Sequence, residues 1–127
     1  PDKLQFTIVY REEDKPIGRI YISRIDRQAD SLDFTRIYIG EEEYLGKGLG
    51  EEAMHLILEY CFIQLHMERV TLDYLPGNKR AATLYEKLGF QHEGVMRNAG
   101  KKNGRYVDLH LMSMLRAEYF EKCRRII

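Results

Sequence analysis

The 127-residue chain is short of several things, and each shortage removes a class of protein. It has no charge excess: 20 Lys and Arg balance 20 Asp and Glu, so no long-range field would gather nucleic acid or an anionic membrane. No apolar run approaches the roughly 20 residues that a bilayer crossing needs, and no stretch reads as a signal peptide. The two cysteines, Cys61 and Cys123, form no paired motif, so a reduced, cytoplasmic protein is expected. Of the four histidines, His55 and His66 can share a helix face. Eleven residues of helix would hold them roughly 16 Å apart, too far for one metal ion. No metal, nucleic acid or membrane is therefore expected as a partner. The chain opens on Pro1 and enters a strand almost at once, which reads as a piece cut from a longer protein.

Charged residues make up 31% of the chain and are interspersed, which excludes bulk disorder. The exception is Glu41–Glu43, expected as a solvated loop. Leu4–Tyr10 (LQFTIVY) is β-branched and aromatic and predicts a strand, and RIYISRI, residues 19–25, predicts a second. Leu32–Ile39 (LDFTRIYI) predicts a third, and the short polar connections make the three an antiparallel meander. Apolar residues at helical spacing predict a helix over Glu51–Met67, and Arg69–Leu75 returns to strand. Asn78 can N-cap a helix over Lys79–Leu88 that Gly89 closes. Two more strands, FQHEGVM and RYVDLHLMSML, flank a GKKNG loop suited to a hairpin, and the tail reads as helical. The order β-β-β-α-β-α-β-β predicts a single α/β (α+β) domain over residues 1–127, a mixed sheet with a βαβ core.

Three glycines in five residues, Gly46, Gly48 and Gly50, stand where a strand gives way to a helix. Glycine there serves positive φ or a close approach of something to the backbone. The stretch has no Gly-Lys-Ser/Thr, so it is not a P-loop, and its third glycine comes one residue early for the dinucleotide fingerprint. The physical logic outlives both patterns. Converging backbone N–H groups at a helix N-terminus bind pyrophosphate without a cationic side chain.

Tyr44-Leu45-Gly46-Lys47-Gly48-Leu49-Gly50 resembles the coenzyme A pyrophosphate loop of the GNAT superfamily of N-acetyltransferases. A second stretch, Asn78-x-x-Ala81-x-x-Leu84-Tyr85-x-x-x-Gly89-Phe90, resembles that family's N-x-x-A-x-x-L-Y-x-x-x-G-F. The closing NGRYVDLHLMSML is similar to the RimJ/RimL type, and the resemblance runs from Leu4 to about Leu115. It departs at Leu45, where the family has Gln or Arg, and Lys47 is the available charge. It departs again at the front, where the family has a strand and usually two helices before the meander.

The resemblance implies acetyl-CoA as the acetyl donor and direct transfer to a primary amine: a protein N-terminus, a polyamine, an amino sugar or a drug. A non-catalytic CoA-binding module is the alternative. It implies that Leu45, Gly46, Lys47, Gly48, Leu49 and Gly50 hold the phosphates. Ile37, Tyr38 and Ile39 would pair through their backbone with pantetheine, beyond the point where two parallel strands part. Tyr85 matches the family tyrosine that reaches the leaving sulfur, and a packing role against Leu88 is its other reading. Asp73, five residues before Asn78, is the candidate base, against an ordinary surface carboxylate paired with an arginine such as Arg69. Asn78 could touch the cofactor or act only as a cap. Glu51 and Glu52, in the first helical turn, are expected to face solvent, away from phosphate.

Overall fold

The computed structural model describes residues 3–40 and 48–126, with the side chains of Ile39 and of residues 124–126 left aside. Six strands form one mixed sheet: β1 (Leu4–Tyr10), β2 (Lys15–Asp26), β3 (Ser31–Ile39), β4 (Arg69–Tyr74), β5 (Gln91–Lys102) and β6 (Arg105–Leu115). Their spatial order is β1-β2-β3-β4-β6-β5. β1, β2 and β3 make the antiparallel meander, β3 and β4 pair in parallel, and β6 enters antiparallel between β4 and β5. The helices are α1 (Leu49–Glu59), α2 (Lys79–Leu88) and α3 (Arg116–Ile126). No described helix is long and apolar enough to cross a membrane.

Alternation along the strands assigns the two faces. Ile20 and Ile22, Leu32 and Phe34, Val70 and Leu72, and Met112 and Met114 all enter one core cluster. Onto it pack Met54, Ile57 and Leu58 of α1, Leu88 of α2 and Tyr119 of α3, so all three helices cover the same face. The intervening residues, including Tyr21, Ser23, Asp33, Thr71 and Ser113, take the other face.

Three elements differ from the sequence expectation. β2 begins at Lys15, so Pro16 and Gly18 lie in the strand and not in the turn before residues 19–25. The helix predicted through Met67 is α-helical only to Glu59 and continues as a π-helical turn, Tyr60–Gln64. Leu65 N–H donates to the Tyr60 carbonyl five residues back, and His66 ends the run at φ 56. The wider turn shifts the helical phase, so consecutive Cys61 and Phe62 are both fully buried. The hairpin is also longer than expected, because Gly100–Lys102 are strand and the turn is only Asn103-Gly104. Both turn residues have positive φ, 54 and 78, as a two-residue turn matched to strand twist requires.

Candidate active site

The parallel ladder joins β3 to β4 only over Ser31–Phe34 and Arg69–Leu72. Beyond it β3 runs on through Thr35–Ile39 beside β2 alone, while Asp73 and Tyr74 stay beside β6 alone. The divergence has a local cause. Tyr21 faces Arg36 and Ile22 faces Phe34, so Thr35 is an extra residue that bends β3 at the last rung. Its hydroxyl bonds Ser23 Oγ and reaches Asp33 Oδ2 at 3.5 Å. The structure thus leaves an opening between two backbone edges with no strand between them. Ile37, Tyr38 and Ile39 lie on one edge and Asp73 on the other. Polar backbone groups along such edges need a partner, and an extended amide-bearing chain can supply one.

At the same end of the sheet α1 begins. Gly48 caps it in the left-handed region at φ 77, and Glu52 N–H closes the first turn on the Gly48 carbonyl at 3.0 Å. A Cβ on Gly48 would meet nothing within 4 Å, so glycine is required by the backbone and not by crowding. Leu49 and Gly50 lie in the first helical turn, and positive φ belongs to Gly48 and not to Gly50. Leu45, Gly46 and Lys47, with Glu41–Glu43, fall outside the described residues. The first-turn amides point out of the helix end with no helical acceptor, the feature that suits an anion.

Glu51 does not face solvent freely. Its carboxylate bonds Lys87 Nζ of α2 at 2.9 Å and lies 3.6 Å from His55 Nε2. The Lys87 hydrogen bond holds it below the usual carboxylate range. The acid nearest the helix N-terminus is thus drawn to α2. Glu52 is exposed, as expected.

Helix α2 has the caps that its sequence predicts. Asn78 Oδ1 accepts from Ala81 N–H at 3.1 Å, and Gly89 sits at φ 105 with Phe90 N–H on the Tyr85 carbonyl at 2.9 Å. The amide oxygen of Asn78 is therefore engaged by the helix. Lys122 of α3 adds its ammonium to the Leu88 carbonyl and, at 3.2 Å, to that of Lys87.

The same helix presents Tyr85 between Tyr74 and Phe90, with ring centres 6.2 and 6.0 Å away. Its hydroxyl makes no hydrogen bond to another described residue. Burial raises its pKa, and the charge of Asp73 raises it further, so the phenol keeps its proton at neutral pH. Asp73 is the first β4 residue past the parallel ladder. Burial raises its pKa, the Asp33 carboxylate raises it further, and Arg24 opposes both. It does not pair with Arg69, whose guanidinium is taken by Glu93 of β5. Sequence motifs for Tyr85 and register for Asp73 thus converge on two residues near enough for the Asp73 charge to act on the Tyr85 phenol.

Other groups here carry no sequence signal. Asp33 is 7% exposed and accepts from Thr71 Oγ1 at 2.5 Å, across the last rungs of the parallel ladder. Tyr74 stacks on His110 at 5.0 Å, and His110 Nδ1 lies 2.9 Å from His92 Nε2, extending an aromatic row away from Tyr85. Only strand register brings these residues together. A cavity of about 880 Å³ lies elsewhere: a mainly apolar groove between β1 and α1, lined by neither Tyr85 nor Asp73.

Residues 1–91 match the family model described as an acetyltransferase (GNAT) domain. The chain is 30% identical over 115 residues to the uncharacterized N-acetyltransferase p20 of Bacillus licheniformis, covering 91% of itself and 64% of that relative. It is 30% identical over 106 residues to the spermidine N(1)-acetyltransferase of Vibrio cholerae, covering 84% and 60%. It is also 30% identical over 104 residues to the ribosomal protein uS5-alanine N-acetyltransferase of Escherichia coli, covering 82% and 53%. Among solved structures, the spermidine/spermine N-acetyltransferase SpeG of Vibrio cholerae superposes with a TM-score of 0.88 at 28% identity. That match covers 96% of this chain and 72% of SpeG. The chain therefore spans less than two thirds of the length of these curated relatives. The parted parallel strands, the capped helix behind the glycines and these matches together make the chain a member of the GNAT acetyltransferase family.

Proposed function

We propose that the chain carries the chemistry of an N-acetyltransferase that moves the acetyl group of acetyl-CoA to a primary amine within a ternary complex. One observation carries this reading: Tyr85 and Asp73, both with raised pKa, border the open end of the parallel pair beside the α1 N-terminus. The residues present fit the donor. The free amides behind Gly48, Leu49 and Gly50, with Leu45, Gly46 and Lys47 before them, would hold the pyrophosphate. The unpaired edge at Ile37, Tyr38 and Ile39 would accept the pantetheine amides. Asn78 retains its amide NH₂ for a further contact.

Acetyl-CoA supplies an acetyl thioester, and the protein's own groups manage two protons. Asp73 takes one from the incoming ammonium; its raised pKa makes it a stronger base than a surface aspartate. Neutralising a lysine-like amine of pKa ~10.4 at pH 7 costs about 4–5 kcal/mol, against about 1 kcal/mol for an α-amine near ~7.8. A base therefore matters most for alkylamines. As the amine nitrogen bonds to the acetyl carbon and the carbon–sulfur bond breaks, the Tyr85 hydroxyl stabilises the departing thiolate by donating its hydrogen bond or its proton, and the second proton shed by nitrogen as the amide forms passes to solvent or restores that hydroxyl. A cytoplasmic setting belongs to the same proposal, supported by the free thiols of Cys61 and Cys123.

The test is turnover. The protein is mixed with acetyl-CoA and a panel of amines, and release of the CoA thiol is followed with an independent mass measurement of the acetylated amine. Stoichiometric appearance of both products is expected. Tight CoA binding with no acetylated product from any amine would replace this reading with a CoA-binding module.

A further inference from the structure

On the sheet face turned away from the helices, past the end of the parallel ladder, four side chains make a compact block. Arg19 stands opposite Tyr38 and Tyr21 opposite Arg36 in the antiparallel β2–β3 register, so the two arginines are diagonal neighbours. Diagonal positions on one sheet face lie about 7–8 Å apart, within reach of two long side chains converging on one ligand. The Arg36 guanidinium carbon lies 5.0 Å from the centre of the Tyr38 ring, and Arg19 Nη1 is 3.5 Å from the Tyr21 hydroxyl. On the flanking strand Gln5 faces Tyr21 and Thr7 faces Arg19, so no cross-strand neighbour contributes a carboxylate. Neither guanidinium pairs with an acid among the described residues.

Sheets normally set opposite charges side by side, and like charges at neighbouring positions destabilise. Among the described residues, two exposed arginines with only phenols between them thus leave an electrostatic demand open. The field is visible at Tyr21, whose pKa is lowered chiefly by the Arg19 hydrogen bond and also by Tyr38 and Arg36. A depression of about 390 Å³ opens beside the block, with Arg19, Tyr38 and Thr7 in its wall. The acids of this face lie beyond it. Asp33 faces Ser23, two residues and roughly 7 Å of strand from the Tyr21–Arg36 pair, and its carboxylate accepts from Thr71; Asp73 lies on the β4 side of Asp33.

We propose that Arg19 and Arg36, with the hydroxyls of Tyr21 and Tyr38, form a subsite for an anionic group, carboxylate or phosphate, carried by the acceptor amine. This rests on the acetyl-transfer reading above and narrows it: the amine lies towards Asp73 while its anion lies on the arginines. Guanidinium forks match both anions in a bidentate way. A polyamine, cationic along its length, such as the spermidine in the name of the Vibrio cholerae relative, would be repelled at this subsite.

The experiment compares matched acceptors. Glucosamine is set against glucosamine 6-phosphate, and alanyl-glutamine amide against alanyl-glutamate amide, with spermidine alongside. At least a tenfold higher kcat/KM is expected for an anionic member, and the pair that shows it tells phosphate from carboxylate. In Arg19→Gln/Arg36→Gln that preference should fall to near unity, while the neutral member and CoA affinity stay within threefold. The single variants should each lose part of it. Equal use of neutral and anionic members, or a preference for spermidine, would overturn the subsite and leave acetyl transfer standing. If no amine is acetylated, calorimetric binding with CoA present decides. Tenfold weaker binding of glucosamine 6-phosphate by the double variant sustains the subsite without the transfer reading, and equal binding removes both. Should the double variant weaken CoA but not dephospho-CoA, the arginines serve the cofactor's own phosphate and the proposal falls.

Discussion

Tyr85 differs from phenylalanine by one hydroxyl, and the two roles open to the residue assign that hydroxyl different work. The ring packs between Tyr74 and Phe90 whichever role holds, so Tyr85→Phe keeps almost all of the contact. If the hydroxyl serves the departing thiolate, its contribution exists only in the transition state. The turnover number should then fall by roughly 10²-fold while the CoA dissociation constant moves less than threefold. Near-normal turnover would leave Tyr85 a packing residue. Asp73 makes a sharper case because its pKa has a sign. In the unfolded chain it ionises around the ordinary value, 3.8, but in the fold burial and Asp33 hold its proton to higher pH. The native state therefore binds more protons across that interval and loses stability as pH climbs through it. Asp73→Asn should raise the melting temperature at pH 7, with the gain vanishing below pH 3.8, and should abolish the acidic limb of the kcat/KM profile. A melting temperature at pH 7 no higher than that of the wild type would contradict the buried-carboxylate assignment. Asn78, Gly89 and the motif position of Tyr85 were legible from single residues and their spacing. Asp33 was not, since a lone aspartate in an apolar strand carries no local pattern; only the register that sets it against Thr71 makes it part of the site.

At the scale of elements the chain announces itself well, because period-two and helical patterns depend on short windows. β1 and α2 have the residue limits that periodicity and capping predict. The π-helical turn was illegible for a physical reason. It goes with the burial of both Cys61 and Phe62 in the core, a tertiary arrangement that no local propensity reports. The bulge at Thr35 is hidden in the same way, although it opens the parallel strands. Two caps allow tests. Asn78→Ala removes the acceptor for Ala81 N–H and should cost about 1 kcal/mol in denaturant unfolding. If Asn78 is only a cap, CoA affinity will not change beyond that small loss of order; a tenfold weaker affinity would make it a cofactor contact as well. Gly48→Val places a β-branched residue at φ 77, strained by roughly 1–2 kcal/mol although the space around it is open. The same side chain stands at the helix end where phosphate would approach, so CoA affinity should fall at least tenfold in a protein that still folds. Unchanged affinity would reduce the glycine loop to a turn.

For the whole molecule, one face of the sheet carries the three helices and the core, and the other carries the polar residues around the parted strands. Neutral overall charge means that the proposed anionic donor would have to be gathered by local features and not by a global field. Those features belong to separate elements: the α1 N-terminus, the edge of β3, and β4 with α2. A ligand spanning them binds only the folded arrangement, so its binding energy adds to global stability. At 100 times its dissociation constant, acetyl-CoA or CoA should add about 2.7 kcal/mol, a shift of roughly 10 °C for a domain of this size. ATP shares the adenosine and phosphates of CoA but has no pantetheine arm to occupy the β3 edge. It should move the melting temperature little at the same concentration. Dephospho-CoA should retain most of the CoA shift, because the arm and the pyrophosphate do the bridging. A larger shift with ATP than with acetyl-CoA would mean that the parted strands hold no pantetheine, and that the glycines before α1 serve a nucleotide instead.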